Sequence, residues 1–247
     1  MSNLDKFQDQ RDSRLEQLFG DLPLESDIVV KLPSEGRFYN PPVNNVTITP
    51  ITFEDEKQIA SSVKNKINPV NLMLSKCVKG VDVNNLVLMD KLFLLLKIRE
   101  ISYGEKYPAK ITCPQCSVDA EVNIYLDRLL INFVPPDLND PREITLPKLN
   151  KKAKVRFARV SDESYLATQE LVYTNLWRFV TELDGVTDPI FISKAIPKMH
   201  IRDVKFIMTN ILRSDLGLDP KFIFECGSCG TESQLAVPIN ENFFLAT

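Results

Sequence analysis

The 247-residue sequence predicts an α+β fold of two pseudo-repeated lobes, each made of helices and short antiparallel strands. Three observations predict this architecture. The Cys-x-x-Cys motif at Cys113 recurs at Cys226, a glycine stands nine residues before each motif, and an apolar helical segment runs up to each glycine. Because the same features recur in the same order at one constant offset, we interpret the chain as a tandem duplication. Hydrophobic residues make up 44% of the chain, which is enough for a sizeable core.

The first 30 residues are predicted to form an extended docking arm. They are highly charged, but their apolar residues recur at spacings that place them along one side of a helix. A terminal helix of this kind is typical of a segment that docks on a partner and orders on binding. We therefore expect residues 1–45 to wrap a partner subunit. The apolar residues of the arm are Leu4, Phe7, Leu15, Leu18 and Phe19.

Residues 31–131 are predicted to form the first repeat. A strand begins at Val46, and a helix follows Thr52, whose hydroxyl is a natural N-cap. A second, apolar helix covers residues 90–98 and approaches Gly104, where a left-handed cap would end it. The first Cys-x-x-Cys motif comes next, in a turn between two strands.

Residues 132–145 are predicted to be a linker, because they are rich in proline and polar residues. Residues 146–247 are then the second repeat. Its strand and helix start at residues 155–165 correspond to residues 46–56, with Ser161 in the place of Thr52 as N-cap. Residues 161–183 are the longest helical candidate, and residues 203–211 correspond to residues 90–98, again before a glycine, Gly217.

The two cysteine motifs together supply the ligands of one closed tetrahedral zinc site. Each Cys-x-x-Cys turn can direct two sulfurs at the same ion, and structural zinc takes four such ligands. With all four positions filled by protein, no site remains for a reactive water, so the metal is expected to be structural. One zinc-ribbon-like site would thus join the two lobes. The predicted ligands are Cys113, Cys116, Cys226 and Cys229.

Other roles suit these cysteines less well. A redox dithiol is typically followed at once by a helix, whereas residues 117–126 alternate like a strand. Disulfides would suit a secreted protein, but the sequence begins without an apolar leader and its cysteine count is odd. The fifth cysteine, Cys77, is expected to be a small buried hydrophobe. Iron also accepts four thiolates, so the identity of the metal stays open.

The composition argues against several function classes. His200 is the only histidine and lies at a predicted helix start, where capping is a sufficient role, and no phosphate-binding glycine loop is present. We therefore predict no catalytic residues. A net charge of −3 and a basic cluster at residues 148–154 without aromatic residues argue against nucleic-acid binding, although zinc modules often bind it. No apolar run approaches the ~20 residues that would cross a membrane.

Taken in order, several motifs resemble a known family. They are residues 32–39 (LPSEGRFY), residues 46–56, residues 98–104 (IREISYG) and the first Cys-x-x-Cys motif. Together they resemble the baseplate hub and hub-assembly proteins of T-even-like contractile-tailed bacteriophages. The resemblance spans approximately the first half of the chain, and the second half joins it only through the internal repeat and the second cysteine pair.

The resemblance implies a structural, non-catalytic component of the tail baseplate, assembled in the host cytoplasm from other phage baseplate and tail proteins. Multiple copies in a symmetric assembly would fit such a role. An alternative is a transient hub-assembly chaperone that is absent from the mature virion. A nucleic-acid-binding zinc module is the third alternative.

Overall fold

The computed structural model describes residues 13–14, 17–18, 27–43, 45–62, 68–239 and 243. The predicted arm therefore lies mostly outside the described residues. We call residues 27–132 the first half and residues 142–243 the second half. Helices and several small antiparallel sheets alternate along the chain, which confirms the predicted α+β class. None of the helices in the described part of the chain has the length and apolar character needed to span a membrane.

The first half begins with a three-stranded antiparallel sheet, and three helices accompany it. The sheet has the order β1-β2-β3, and its central strand buries Val46 and Ile48. Thr52 caps the first helix: the Asp55 amide donates to its hydroxyl at 3.2 Å, as predicted. The strands are β1 (Ile28–Lys31), β2 (Asn45–Ile48) and β3 (Val78–Lys79), and the helices are α1 (Phe53–Ser62), α2 (Pro69–Cys77) and α3 (Leu88–Tyr103).

The second half also begins with a three-stranded antiparallel sheet, in the order β7-β8-β9. Its central strand buries Ala153 and Val155. The strands are β7 (Arg142–Thr145), β8 (Lys152–Val155) and β9 (Val180–Leu183), and the helices are α4 (Glu163–Leu166), α5 (Gln169–Asn175), α6 (Pro189–Ala195) and α7 (Ile201–Leu212).

Each half ends in a two-stranded hairpin that carries one cysteine motif. These hairpins are β4 (Lys106–Thr112) with β5 (Asp119–Tyr125), and β11 (Lys221–Glu225) with β12 (Glu232–Ala236). A short strand at the end of the first half, β6 (Ile131–Asn132), pairs with β10 (Gly217–Leu218) of the second. That pairing brings the chain after α7 back toward α3, so the two hairpins lie side by side.

The hydrophobic core around α3, which is buried on nearly every face, includes residues of both halves, and the second half also has a core cluster of its own. Arg159 joins the two halves with two hydrogen bonds and binds the intervening segment with a third. Its guanidinium donates to the Asn85 carbonyl at 2.7 Å, to the Phe38 carbonyl at 2.9 Å and to the Asp140 carboxylate at 2.9 Å. The predicted linker is fixed against the first half, because the Arg37 guanidinium donates to the carbonyls of residues 134, 135, 136 and 138. The division into arm, repeats and linker stays a prediction.

Some predictions for the second half were wrong. Residues 161–183 do not form one long helix: Thr168 has an extended backbone that separates α4 from α5, and residues 180–183 form strand β9. Ser161 is not an N-cap, because it lies inside a 3-10 turn, and the Asp162 carboxylate instead accepts the Arg159 amide at 2.9 Å. The left-handed residue after α7 is Arg213, four residues before Gly217.

Candidate metal centre

The turn of the first hairpin directs two thiols toward one point. Cys113 follows β4, and its amide donates to the Val118 carbonyl at 2.9 Å. The Ser117 amide donates back to the Cys113 carbonyl at 2.9 Å, and Ser117 has a positive φ of 59° that closes the turn. The backbone thus forms a tight loop, so the side chains of Cys113 and Cys116 lie on the same side of it.

The turn of the second hairpin has the same two backbone hydrogen bonds. The Cys226 amide donates to the Thr231 carbonyl at 3.0 Å, and the Gly230 amide donates to the Cys226 carbonyl at 2.8 Å. Gly230 has the positive φ, 70°, in the place of Ser117. The two turns therefore present their cysteines in the same geometry.

The four thiol groups meet between the hairpins. The Sγ atoms of Cys113 and Cys229 are 3.8 Å apart, and those of Cys116 and Cys226 are 3.7 Å apart. All four sulfurs lie within 4.8 Å of one another, and all four are free thiols. A disulfide would bring two sulfurs to about 2.05 Å. A tetrahedral ion with bonds of about 2.3 Å holds its sulfurs about 3.8 Å apart. Two of the sulfur pairs have this separation, Cys113 with Cys229 and Cys116 with Cys226.

The two hairpins also enclose the sulfurs unequally. Cys113 and Cys226 are buried together with Phe224, which forms a small apolar cluster under the site, whereas Cys229 is exposed. The cluster shields the inner side of the site from water. Its partly buried members are Ile111, Cys116, Ala120, Val122, Phe222 and Leu235.

Local hydrogen bonds favour thiolate at two of the cysteines. Hydrogen bonding to the Thr231 hydroxyl, 3.4 Å from the Cys229 sulfur, and to the Thr231 amide lowers the pKa of Cys229 to about 6. The Cys116 amide lowers the pKa of Cys113 below its usual range. At Cys116 the Val118 amide also favours thiolate, but burial and the neighbouring sulfurs dominate and raise the pKa to about 12. A cation among the sulfurs would relieve their mutual repulsion, so the donor set fits a thiophilic metal ion.

The structure brings together all four sequence-predicted ligands and separates the other residues that the sequence singled out. Cys77 is 1% exposed at the end of α2, outside the cluster, as expected for a buried hydrophobe. His200 caps α7, where its Nδ1 accepts the Arg202 amide at 3.1 Å. Thr231 was missed, because a threonine two residues after a cysteine carries no recognisable signal until the turn is seen.

Comparison with known proteins identifies the chain's family. A family model described as "T4 bacteriophage base plate protein" matches residues 25–244, nearly the whole chain. The chain belongs to this family. The match includes both cysteine motifs, whereas the sequence resemblance covered only the first half. Neither the curated proteins nor the solved structures gave a match.

Family membership gives this baseplate protein its place and its kind of partner. A T4-like baseplate protein is a structural component of the phage tail baseplate and contacts other phage proteins. Its cluster of four cysteines is a candidate metal-binding site.

Proposed function

We propose that this chain is a structural subunit of the baseplate hub, in which one zinc ion clasps the two hairpins. The observation that carries the zinc site is the cluster of four sulfurs within 4.8 Å of one another, between two turns with the same backbone hydrogen bonds. Two of the sulfur pairs have the separation expected for a tetrahedral ion. The proposed ligands are Cys113, Cys116, Cys226 and Cys229. Because protein would fill every coordination position, the ion would be structural. Membership of a baseplate family supports a non-catalytic role for the subunit.

The hub assignment is supported by the order of the hub-like motifs in the first half. Residues 32–39 lie in the core between β1 and β2, where Leu32 is fully buried and Tyr39 is 7% exposed. The motif is therefore part of the folded core of the first half, as expected if that half has the fold of the hub-like family. Assembly would take place in the host cytoplasm, and the product would be the virion baseplate.

We further propose that the two halves arose by duplication, each contributing one zinc knuckle. Both contain a three-stranded antiparallel sheet with strands in sequential order, then a long helix, a positive-φ glycine and a knuckled hairpin. The two glycines, Gly104 and Gly217, have φ of 89° and 80°. A shared ion would then hold the copies together at the ends of their hairpins.

Metal analysis and particle analysis together test this function. Purified protein should contain about one zinc per chain, and a variant with Cys226→Ser and Cys229→Ser should contain none. Antibody labelling of purified mature phage should detect the chain at the centre of the baseplate. Detection only in assembly intermediates would support the alternative, a hub-assembly chaperone. Salt-sensitive retention of DNA or RNA would support a nucleic-acid-binding module instead.

A further inference from the structure

An apolar groove lies on the second half, between α5 and the start of α7. Its volume is about 350 Å³. Its walls leave apolar surface open to solvent, since Ile201 is 51% and Tyr173 41% exposed. Grooves of this kind are typical sites for an amphipathic helix. The lining residues are Tyr173, Leu176, Ile196, Pro197, Met199, Ile201 and Val204.

The segment that forms one wall of this groove is strongly cationic. Four exposed cations lie between residues 194 and 205, and none forms an ion pair within the described ranges. The acid in that stretch, Asp203, is buried and accepts backbone amides, so the stretch has a formal charge of +3 with its cations on the surface. The α5 wall carries Glu170. The groove therefore suits an apolar segment of net negative charge. The four cations are Lys194, Lys198, Arg202 and Lys205.

The corresponding surface of the first half is covered. Val87 caps α3 and pairs with Arg159, and the Leu88 amide donates to the Ala158 carbonyl at 3.1 Å. His200 is the equivalent residue of the second half, where it caps α7 and is exposed, without such a pairing segment in the part of the chain described here. The start of α3 is thus covered by the segment around Arg159, whereas the equivalent start of α7 is exposed.

The N-terminal segment has complementary properties. Its described residues, 13–14 and 17–18, are helical and exposed, and Leu18 is 65% exposed. Residues 1–26 carry six acidic and three basic side chains, a formal charge of −3. Leu4, Phe7 and Leu15 recur with Leu18 at helical spacing in the sequence. An acidic segment with an apolar stripe and a basic apolar groove therefore match each other in charge and in hydrophobicity.

We propose that the N-terminal segment, residues 1–26, of one copy docks as an amphipathic helix in the groove of a second copy. This inference rests on the arm being the docking element that the sequence predicts, and it names the surface and the partner. Leu18 enters the groove near Ile201, while the acidic side chains of the arm face the cations of residues 194–205. If the two copies exchange arms reciprocally, the contacts close into a two-fold dimer and leave no arm free.

Isotope-mixed cross-linking tests the contact directly on the full chain. A photoreactive phenylalanine replaces Leu18, and equal amounts of ¹⁴N- and ¹⁵N-labelled protein are mixed before irradiation. Mass spectrometry should find cross-links from the arm to peptides of residues 173–204, and about half of them should join one light and one heavy chain. Cross-links within one isotope only would overturn the proposal, because the arm would then occupy its own chain's groove. Cross-links to other surfaces, or none, would also overturn it.

Two matched substitutions test the energetics by light scattering at several protein concentrations. Ile201→Glu puts a negative charge at the groove and should weaken dimerisation at least about tenfold, as should Leu18→Glu in the arm. Ile190→Glu is the control: Ile190 is also an isoleucine in a helix first turn, is 64% exposed and does not line the groove. Glutamate in a first turn is compatible with either helix, so both isoleucine variants should keep the wild-type melting temperature.

The outcomes separate this inference from the proposed function. A dimer weakened by Ile201→Glu and Leu18→Glu, but not by Ile190→Glu, supports the docking. A wild-type protein that stays monomeric at every concentration overturns it, even if the chain binds zinc and enters baseplates. Conversely, a chain that dimerises through the arm but lacks zinc or is absent from the baseplate would leave the docking intact and refute the proposed function.

Discussion

Asp90 and Asp203 occupy the same place in the two long helices and accept the same kind of hydrogen bond. Asp90 Oδ1 accepts the Ser34 amide at 2.9 Å, and Asp203 Oδ1 accepts the Lys148 amide at 2.7 Å. Both donors follow directly on a Leu-Pro pair at the end of a strand, and both carboxylates are buried. In each half, therefore, the first strand is tied to the long helix by one buried carboxylate.

The other contacts of the two carboxylates differ. Asp90 also accepts the hydroxyl groups of Ser34 and Tyr39, the latter at 2.6 Å, whereas Asp203 accepts a second amide, that of Leu149, at 3.1 Å. Burial raises the pKa of Asp90 despite these donors. The shared part of the arrangement, a turn amide on a helix carboxylate, is the part that a duplication would have copied.

Removing the Asp203 carboxylate should detach the β7–β8 turn from α7. Asp203→Ala leaves two backbone amides without their acceptor, so we expect the free energy of unfolding to fall by about 1–3 kcal/mol, as measured by urea denaturation. Asp215→Ala is the control, because Asp215 is 62% exposed and forms a surface ion pair with Arg213. It should cost under about 1 kcal/mol. If both variants lost the same free energy of unfolding, the hydrogen bonds to the Asp203 carboxylate would not stabilise the fold more than a surface ion pair does.

Local patterns in the sequence were sufficient to predict the two cysteine turns. A Cys-x-x-Cys turn needs only short-range backbone geometry, so the position of each sulfur pair follows from the motif itself. The meeting of the two pairs followed from the constant offset between equivalent features, which is the same from Gly104 to Gly217 as from Cys113 to Cys226. The Thr52 cap was likewise predictable, since the residues that form it are close neighbours along the chain.

Features that depend on distant partners could not be predicted. Residues 180–183 fit a helical pattern, but Val180 pairs with Val155 in a sheet, and this contact between segments far apart in the chain outweighs a weak helix propensity. The groove was missed for a related reason. Ile201 has the apolar character of a core residue, and only the arrangement of α5 and α7 shows that its side chain is half exposed.

The two equivalent glycines should respond differently to alanine. Both have positive φ, but a Cβ at Gly217 would lie 2.8 Å from the Met89 Cβ, whereas a Cβ at Gly104 would meet nothing within 4 Å. Gly104→Ala should cost about 1–2 kcal/mol of unfolding free energy, from backbone strain alone. Gly217→Ala should cost a further amount of about 1–3 kcal/mol, because α3 and β10 must move apart.

Thermal denaturation of both alanine variants measures this difference. Adding Met89→Ala to Gly217→Ala should not restore stability, because the clash is with the Cβ and backbone of Met89, which alanine keeps. Similar losses at the two glycines would contradict the close packing of β10 on α3.

Removal of the proposed zinc ion should loosen the hairpins and leave the cores of the halves largely intact. The four sulfurs lie between the two hairpins, and the buried residues of their small apolar cluster, Cys113, Phe224 and Cys226, belong to neither of the two larger clusters. With a chelator we expect a lower melting temperature and faster amide exchange in residues 106–125 and 221–236, measured by hydrogen–deuterium exchange. Cys77→Ser is the control, because Cys77 lies outside the cluster and should leave metal content unchanged. Unchanged exchange after verified metal loss would refute the structural role.

The Arg156–Asp162 pair should make stability fall in acid. Arg156 donates two hydrogen bonds to the Asp162 carboxylate, at 2.7 and 2.9 Å, and the Arg159 amide donates a third at 2.9 Å. Burial alone would raise the pKa of Asp162, but these donors outweigh it and hold the pKa below the usual value. Stabilisation from this group is therefore complete above the unfolded-state pKa of about 3.9 and is lost as the pH falls through the lower folded-state pKa.

Asp162→Asn isolates this contribution. At neutral pH the variant should be less stable by about 1–3 kcal/mol, because the guanidinium loses its charged acceptor while remaining three-quarters buried. The difference from wild type should shrink as the pH falls, since wild-type Asp162 then becomes protonated. Asp140→Asn is the contrasting variant: burial raises the pKa of Asp140, so the ionised form is disfavoured in the folded protein and loss of the charge should not destabilise it at neutral pH. Wild-type stability from this group should increase as the carboxyl protonates in acid, which is the opposite pH dependence to that of Asp162. Urea denaturation at several acidic pH values measures these differences in unfolding free energy. If the difference between wild type and Asp162→Asn did not change with pH, the charge of the Asp162 carboxylate would not stabilise the fold.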